Sequence, residues 1–107
     1  MPKQRQDITA IIYDRRGRVL AVGKNSYVKT HPLMAKYAKM AGESYSANEY
    51  AFIHAEVDAI VRCKDLSKAH KILVMRIRKD GSYGNAKPCA ACTLAIKEAG
   101  IEVVEHT

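Results

Sequence analysis

Two short motifs constrain this chain more than anything else in it: His54-Ala55-Glu56 near the middle and Pro88-Cys89-Ala90-Ala91-Cys92 further along. Imidazole and thiolate are good zinc ligands, and a catalytic zinc site uses three protein ligands with the fourth position kept for water. One histidine and two cysteines meet that count. The fold must therefore bring the chain around residue 54 against the chain around residue 89.

The spacing within each motif says how. Cys89 and Cys92 are three residues apart, so in the first turn of a helix they share a face, where unpaired amides stabilise thiolates. His54 and Glu56 would lie about 200° apart on an ideal helix, and both can face one site only near the helix end. A second helix N-terminus at the metal is thus predicted. Glu56 also begins an apolar stripe continuing through Ala59, Ile60 and Cys63. A carboxylate there loses solvation and its proton affinity rises, which suits a proton shuttle. Two thiolates and a neutral imidazole cancel the zinc charge, while the metal still acidifies its water. The blander reading is a closed structural zinc site or a redox pair. A closed site would need a fourth ligand, and Cys63, His31, His70 and His106 show no paired spacing. His-x-Glu followed by Pro-Cys-x-x-Cys is the known signature of zinc-dependent nucleobase deaminases.

The rest of the chain reads as a small α/β domain. Its 107 residues fit one domain, residues 1–107, within the usual range of about 50 to 250. Asp7–Tyr13 and Arg18–Asn25 read as strands of a hairpin, with Gly17 at the turn position that needs positive φ. Thr30 before His31-Pro32 reads as a helix cap, and Met34, Tyr37, Ala38 and Ala41 form the apolar stripe of a helix ending at Gly42. Glu43–Ile53 reads as irregular. Further helices are expected at about His54–Cys63 and Cys89–Ala99, and strands at Lys71–Arg78 and Ile101–Val104. This β-β-α-α-β-α-β order predicts a three-layer α/β/α sandwich with a mixed sheet.

Composition bounds the setting. No apolar run is long enough to span a membrane and Met1–Asp7 lacks a signal-peptide core, so a soluble, cytoplasmic protein with no membrane partner is expected. Cys89 and Cys92 are too close on a helix for a comfortable disulfide, and Cys63 is left over, which suits a reducing compartment. The net charge of +7 is unevenly placed: Asp14–Lys39 holds seven Lys/Arg against one Asp, and Arg62–Lys87 eight against two. An anionic ligand and a merely solvated basic surface both account for it.

On these motifs the sequence resembles the cytidine deaminase-like superfamily over nearly the whole chain, including the Asp7–Asn25 hairpin and the Ala95-Ile96-Lys97-Glu98-Ala99-Gly100-Ile101 ending. The resemblance implies that His54, Cys89 and Cys92 bind Zn2+, that Glu56 is the general acid/base, and that the backbone around Ala55 and Pro88 holds the base. It implies a substrate contact for Asn25, whose blander reading is a strand-end turn residue. Free-cytidine deaminases generally have cysteine where this chain has His54, whereas deoxycytidylate, guanine, tRNA-adenosine and polynucleotide deaminases have histidine. The segments Asn25–Pro32 and Lys87–Cys89 are similar to small bacteriophage-encoded deaminase-like proteins, which would place the chain in the host cytoplasm. Larger relatives continue past the equivalent of Val104 with a helix and strand that cover the pocket.

The expected substrate is a small-molecule cytosine nucleotide or nucleoside, deoxycytidylate first, with Lys24 and Lys29 toward the phosphate or, more blandly, on a solvated rim. An alternative is a base in single-stranded DNA or RNA, with Tyr27, Tyr37, Tyr45, Tyr50 and Tyr83 as stacking candidates. A third reading is a non-catalytic zinc-stabilised nucleotide-binding module. Arg76 and Arg78 are expected on one strand face, facing phosphate, solvent or a subunit. Cys63 is expected to be buried, His31 to open a helix, and His70 and His106 to be peripheral. The resemblance also implies a homo-oligomer.

Overall fold

A computed structural model describes residues 7–26, 29–42 and 53–107 of the chain. Strand β1 (Asp7–Tyr13) pairs antiparallel with β2 (Val19–Lys24). Their turn is built by Asp14, whose carboxylate accepts hydrogen bonds from the Arg16 and Arg18 amides at 2.9 Å each. Gly17 takes the expected positive φ of 80°. Helix α1 (Pro32–Met40), helix α2 (Ala55–Arg62) and a 3-10 turn (Leu66–Lys68) follow, before β3 (Lys71–Ile77). The two-residue β4 (Tyr83–Gly84), helix α3 (Ala90–Glu98) and β5 (Val103–His106) complete the order.

The sheet runs β2-β1-β3, with β4 and β5 both paired to β3. β5 is parallel to β3, while β1 pairs antiparallel with β2 and β3 and β4 with β3, so the sheet is mixed, as expected. One face is apolar throughout: Ala10 and Ile12 of β1, Ala21 of β2, and Ile72 and Val74 of β3 are buried in one cluster with α1, α2 and α3. α2 packs on β1 and β2, α3 packs on α2, and α1 packs on α3. Tyr37 on α1 donates to Glu98 of α3 at 2.7 Å, which ties the outer helices together.

The α/β class, the mixed sheet and the three helices follow the sequence expectation. Ile11, Leu73 and Met75, which alternate with the core residues, are half-buried and lie outside the core cluster.

Other differences are local and have local causes. The cap of α1 is His31, whose Nδ1 accepts from the Leu33 amide at 3.1 Å, instead of the Thr30 hydroxyl. The last strand begins at Val103 and not Ile101. Gly100 turns the chain with φ of 79°, and the Ile101 amide is still bonded to Ile96 of the preceding helix. β4 lies in what reads as a loop, because two residues carry no periodicity. The irregular segment Glu43–Ile53 lies, except for Ile53, outside the described residues.

Gly23 sets how closely α2 sits on β2. A Cβ there would come within 2.2 Å of the Ala59 nitrogen and 2.3 Å of the Ala55 oxygen, both backbone atoms of α2. Overpacking of this kind costs about 3 kcal/mol, whereas Gly17→Ala at a solvent-exposed turn costs about 1 kcal/mol of left-handed strain. Denaturant titration of the two variants is expected to show the larger loss for Gly23→Ala; equal losses would refute the tight α2–β2 seat.

Candidate metal and active site

The two motifs sit at helix N-termini, and the termini meet. His54 is the N-cap of α2, with extended backbone at φ −83° and ψ 158°, and Glu56 is its second helical residue. Cys89 is the N-cap of α3, with its sulfur 3.5 Å from the Cys92 amide that donates to it. The His54 Nδ1 lies 3.6 Å from Cys89 Sγ and 3.3 Å from Cys92 Sγ. The three ligand atoms all fall within 4.8 Å of one another.

Those separations fit a metal. At usual zinc bond lengths, a nitrogen and a sulfur on neighbouring corners of a tetrahedron are about 3.6 Å apart. The electrostatics agree. The Cys92 thiol donates to Cys89, and this bond, with His54 and the Cys92 amide beside it, holds Cys89 at about 4 against the opposing effect of burial. Cys92 is pushed up by the same bond, by its burial and by neighbouring Glu56. The pair therefore holds a thiolate at neutral pH, stabilised by helix-end amides.

Among the described residues Glu56 is the buried charged residue, 5 % exposed. Burial raises its proton affinity, offset in part by its own backbone amide and by neighbouring Cys92 and His54. A carboxyl group so placed is suited to taking and returning a proton at the metal. Ala55, fully buried, is the first residue of α2, so its amide lies outside the helical ladder. Pro88 immediately precedes the α3 cap and borders a cleft of about 280 Å³ with Lys87, Thr93, Ile96, Val104 and His106.

Asn25 reaches this region through the backbone. The amide of Ser26 donates to Ile53, the residue before His54, at 3.0 Å, and Ile53 in turn donates to Lys29 at 2.9 Å. The Asn25 Oδ1 accepts from the Ile8 amide at 3.1 Å, extending the β1–β2 ladder one residue. Other candidates fall elsewhere. Lys24 pairs with Asp7 at 3.4 Å on the surface, and Lys29 is exposed. Tyr37 is packed against α3, Tyr83 is exposed on β4, and Tyr27, Tyr45 and Tyr50 lie outside the described residues.

Arg76 stacks along Gly84, but Arg78 is past the end of β3 in the turn to Ser82, so the two do not share a strand face. Cys63 is half-buried at the end of α2. His70 lies 3.6 Å from Glu102, and His106 is exposed on β5; both are outside the metal group, as expected. Sequence reading missed Asp58, whose carboxylate bridges two elements beside this site. An aspartate in a first helical turn is common for dipole reasons alone, so no signal distinguished it.

The model of the cytidine and deoxycytidylate deaminase zinc-binding region matches residues 1–106. The chain belongs to this deaminase family. No individual curated protein gives a match. Zinc is the family's metal, and the His/Cys/Cys group of this deaminase fits it. Among the described residues no helix is long and apolar enough to cross a membrane.

Elemental analysis of the purified deaminase is expected to find about one zinc per chain. Cys89→Ser or Cys92→Ser should each remove most of it, and chelation should lower the melting temperature, since a ligand bound only by the folded state stabilises it. Full zinc retention in both variants would place the metal elsewhere.

Proposed function

We propose that this deaminase hydrolyses the amine of cytosine carried on a nucleotide or nucleoside, deoxycytidylate first, with zinc held by His54, Cys89 and Cys92. The observation that carries the reading is the buried Glu56 carboxyl, set at the same meeting of helix ends as the three ligand atoms. A structural zinc site has no use for such a carboxyl, which weighs against a non-catalytic module.

Zinc, when bound there, supplies a water activated for attack at neutral pH. Glu56 takes the proton that the attacking water releases, gives it to the ring nitrogen, and then moves the remaining proton of the added hydroxyl to the departing amine. Water adds to the amine-bearing carbon, its C–N bond breaks, and ammonia and a keto base result. The backbone at Ala55 and Pro88 flanks the base, and Asn25 contacts the substrate from the end of β2. His54 in place of cysteine supports a nucleotide over a free nucleoside, and exposed Lys29 supports a phosphate near the entrance. Two thiol ligands suit a reducing, cytoplasmic setting, and a homo-oligomer would border the site with a neighbouring chain.

Glu56→Gln is expected to keep its zinc and fold while turnover falls about 10³-fold, within the range for loss of a general acid/base. Substrate class is tested by ammonia release from cytosine, adenine and guanine compounds, each as nucleoside, monophosphate and oligonucleotide. Activity on cytosine monophosphate is expected. Activity confined to oligonucleotides, with affinity falling steeply as salt rises, would establish the nucleic-acid alternative. Silence across the panel would refute deamination of these substrates.

A further inference from the structure

Among the described residues β2 lies at the edge of the sheet, so every second amide along it points away from β1, its strand partner there. Asn25 donates inward to Ile8, which leaves the Lys24 amide directed outward. It is received by a side chain of α2: Lys24 N donates to Asp58 Oδ2 at 2.9 Å. Arg62, one turn further along α2, donates from Nε to the same oxygen at 3.0 Å and steadies the carboxylate. The Asp58 side chain is 16 % exposed, so this contact is shielded on most sides.

The other end of the link is His54. The Asp58 amide donates to the His54 carbonyl at 2.9 Å, the first bond of α2. His54 is thus joined to Asn25 by two hydrogen bonds and one peptide step, His54 to Asp58 to Lys24. Gly23, next along β2, supplies the clearance that lets the strand come this close.

We infer that Asp58 is a positioning residue: it fixes the Asn25 end of β2 against the helix end that carries His54 and Glu56, and so sets the gap into which the base must fit. This rests on the deaminase reading above and on Asn25 as the substrate contact. Its sign is separable from a general structural role. Losing the link leaves Glu56 and the ligand group on their own helices, so substrate binding should suffer while the chemical step and the zinc are kept.

The experiment compares zinc-loaded full-length wild type, Asp58→Ala, Asp58→Asn and Arg62→Ala by amide hydrogen exchange, zinc content and steady-state kinetics on the substrate that wild type turns over best. In Asp58→Ala the Lys24 and Ser26 amides should exchange at least about tenfold faster. KM should rise about tenfold or more, with kcat and zinc within about twofold, as displacement of a substrate-positioning group predicts. Asp58→Asn, which keeps an acceptor for Lys24, should restore most of both effects, and Arg62→Ala should produce little of either. Unchanged exchange in Asp58→Ala, or zinc and kcat falling together with KM, would overturn the proposal. If wild type turns over no substrate, the deaminase reading fails instead, and exchange alone decides whether Asp58 holds the strand.

Discussion

Everything in this molecule is arranged around the meeting of two helix N-termini. Three ligand atoms from positions 54, 89 and 92 come within 4.8 Å of one another, and they do so because α2 and α3 both begin at the same place. A helix start is a favourable site for thiolates, whose charge is stabilised by amides that the helical ladder does not use. It is also where a histidine and a glutamate two residues apart can address a common point, since His54 still has extended backbone while Glu56 is already helical. Without this junction the donor set would be two unrelated half-sites.

The sheet's task is to hold that junction still. α2 is seated on β1 and β2 by a face of small residues, Ala10, Ala21, Ala55 and Ala59, with Gly23 removing the last obstacle. Larger residues, Ile12, Ile72 and Val74, fill the sheet centre formed by β1 and β3 and are as fully buried. Small side chains permit close approach and dispersion contacts do the rest. Among the described residues Glu56 is the buried exception to this apolar packing, and it sits beside Cys92 of the ligand group.

Edge chemistry links the sheet to the site. β2 ends where the substrate is expected to enter, and its outward amide is claimed by Asp58 instead of by water. At the opposite edge, Thr107 takes a comparable part. Its hydroxyl accepts from the Arg76 amide at 3.0 Å and donates to the Gly84 carbonyl at 2.6 Å, while its own amide donates to Val74 at 3.0 Å. One residue thereby closes β4 and β5 along the same edge of β3.

The sequence by itself determined the candidate ligand set and most of the elements. Side chains suited to a metal at one-turn spacing, a carboxylate at the head of an apolar stripe, and a glycine at a hairpin turn are all signals carried within a few residues, and the structure brings the three candidate ligands together and gives Gly17 its positive φ. Boundaries moved where a single contact outweighed the pattern, as at His31, which caps α1 in place of Thr30, and at Ile101, which stays bonded to α3. Tertiary structure alone decided how the helices stack on the sheet and on one another, the existence of β4, and the link from Asp58 to Lys24. That bond spans 34 positions in the chain. A contact of that kind leaves no periodicity behind, because what selects it is an unpaired amide on a strand edge, and there is no edge until the sheet has formed.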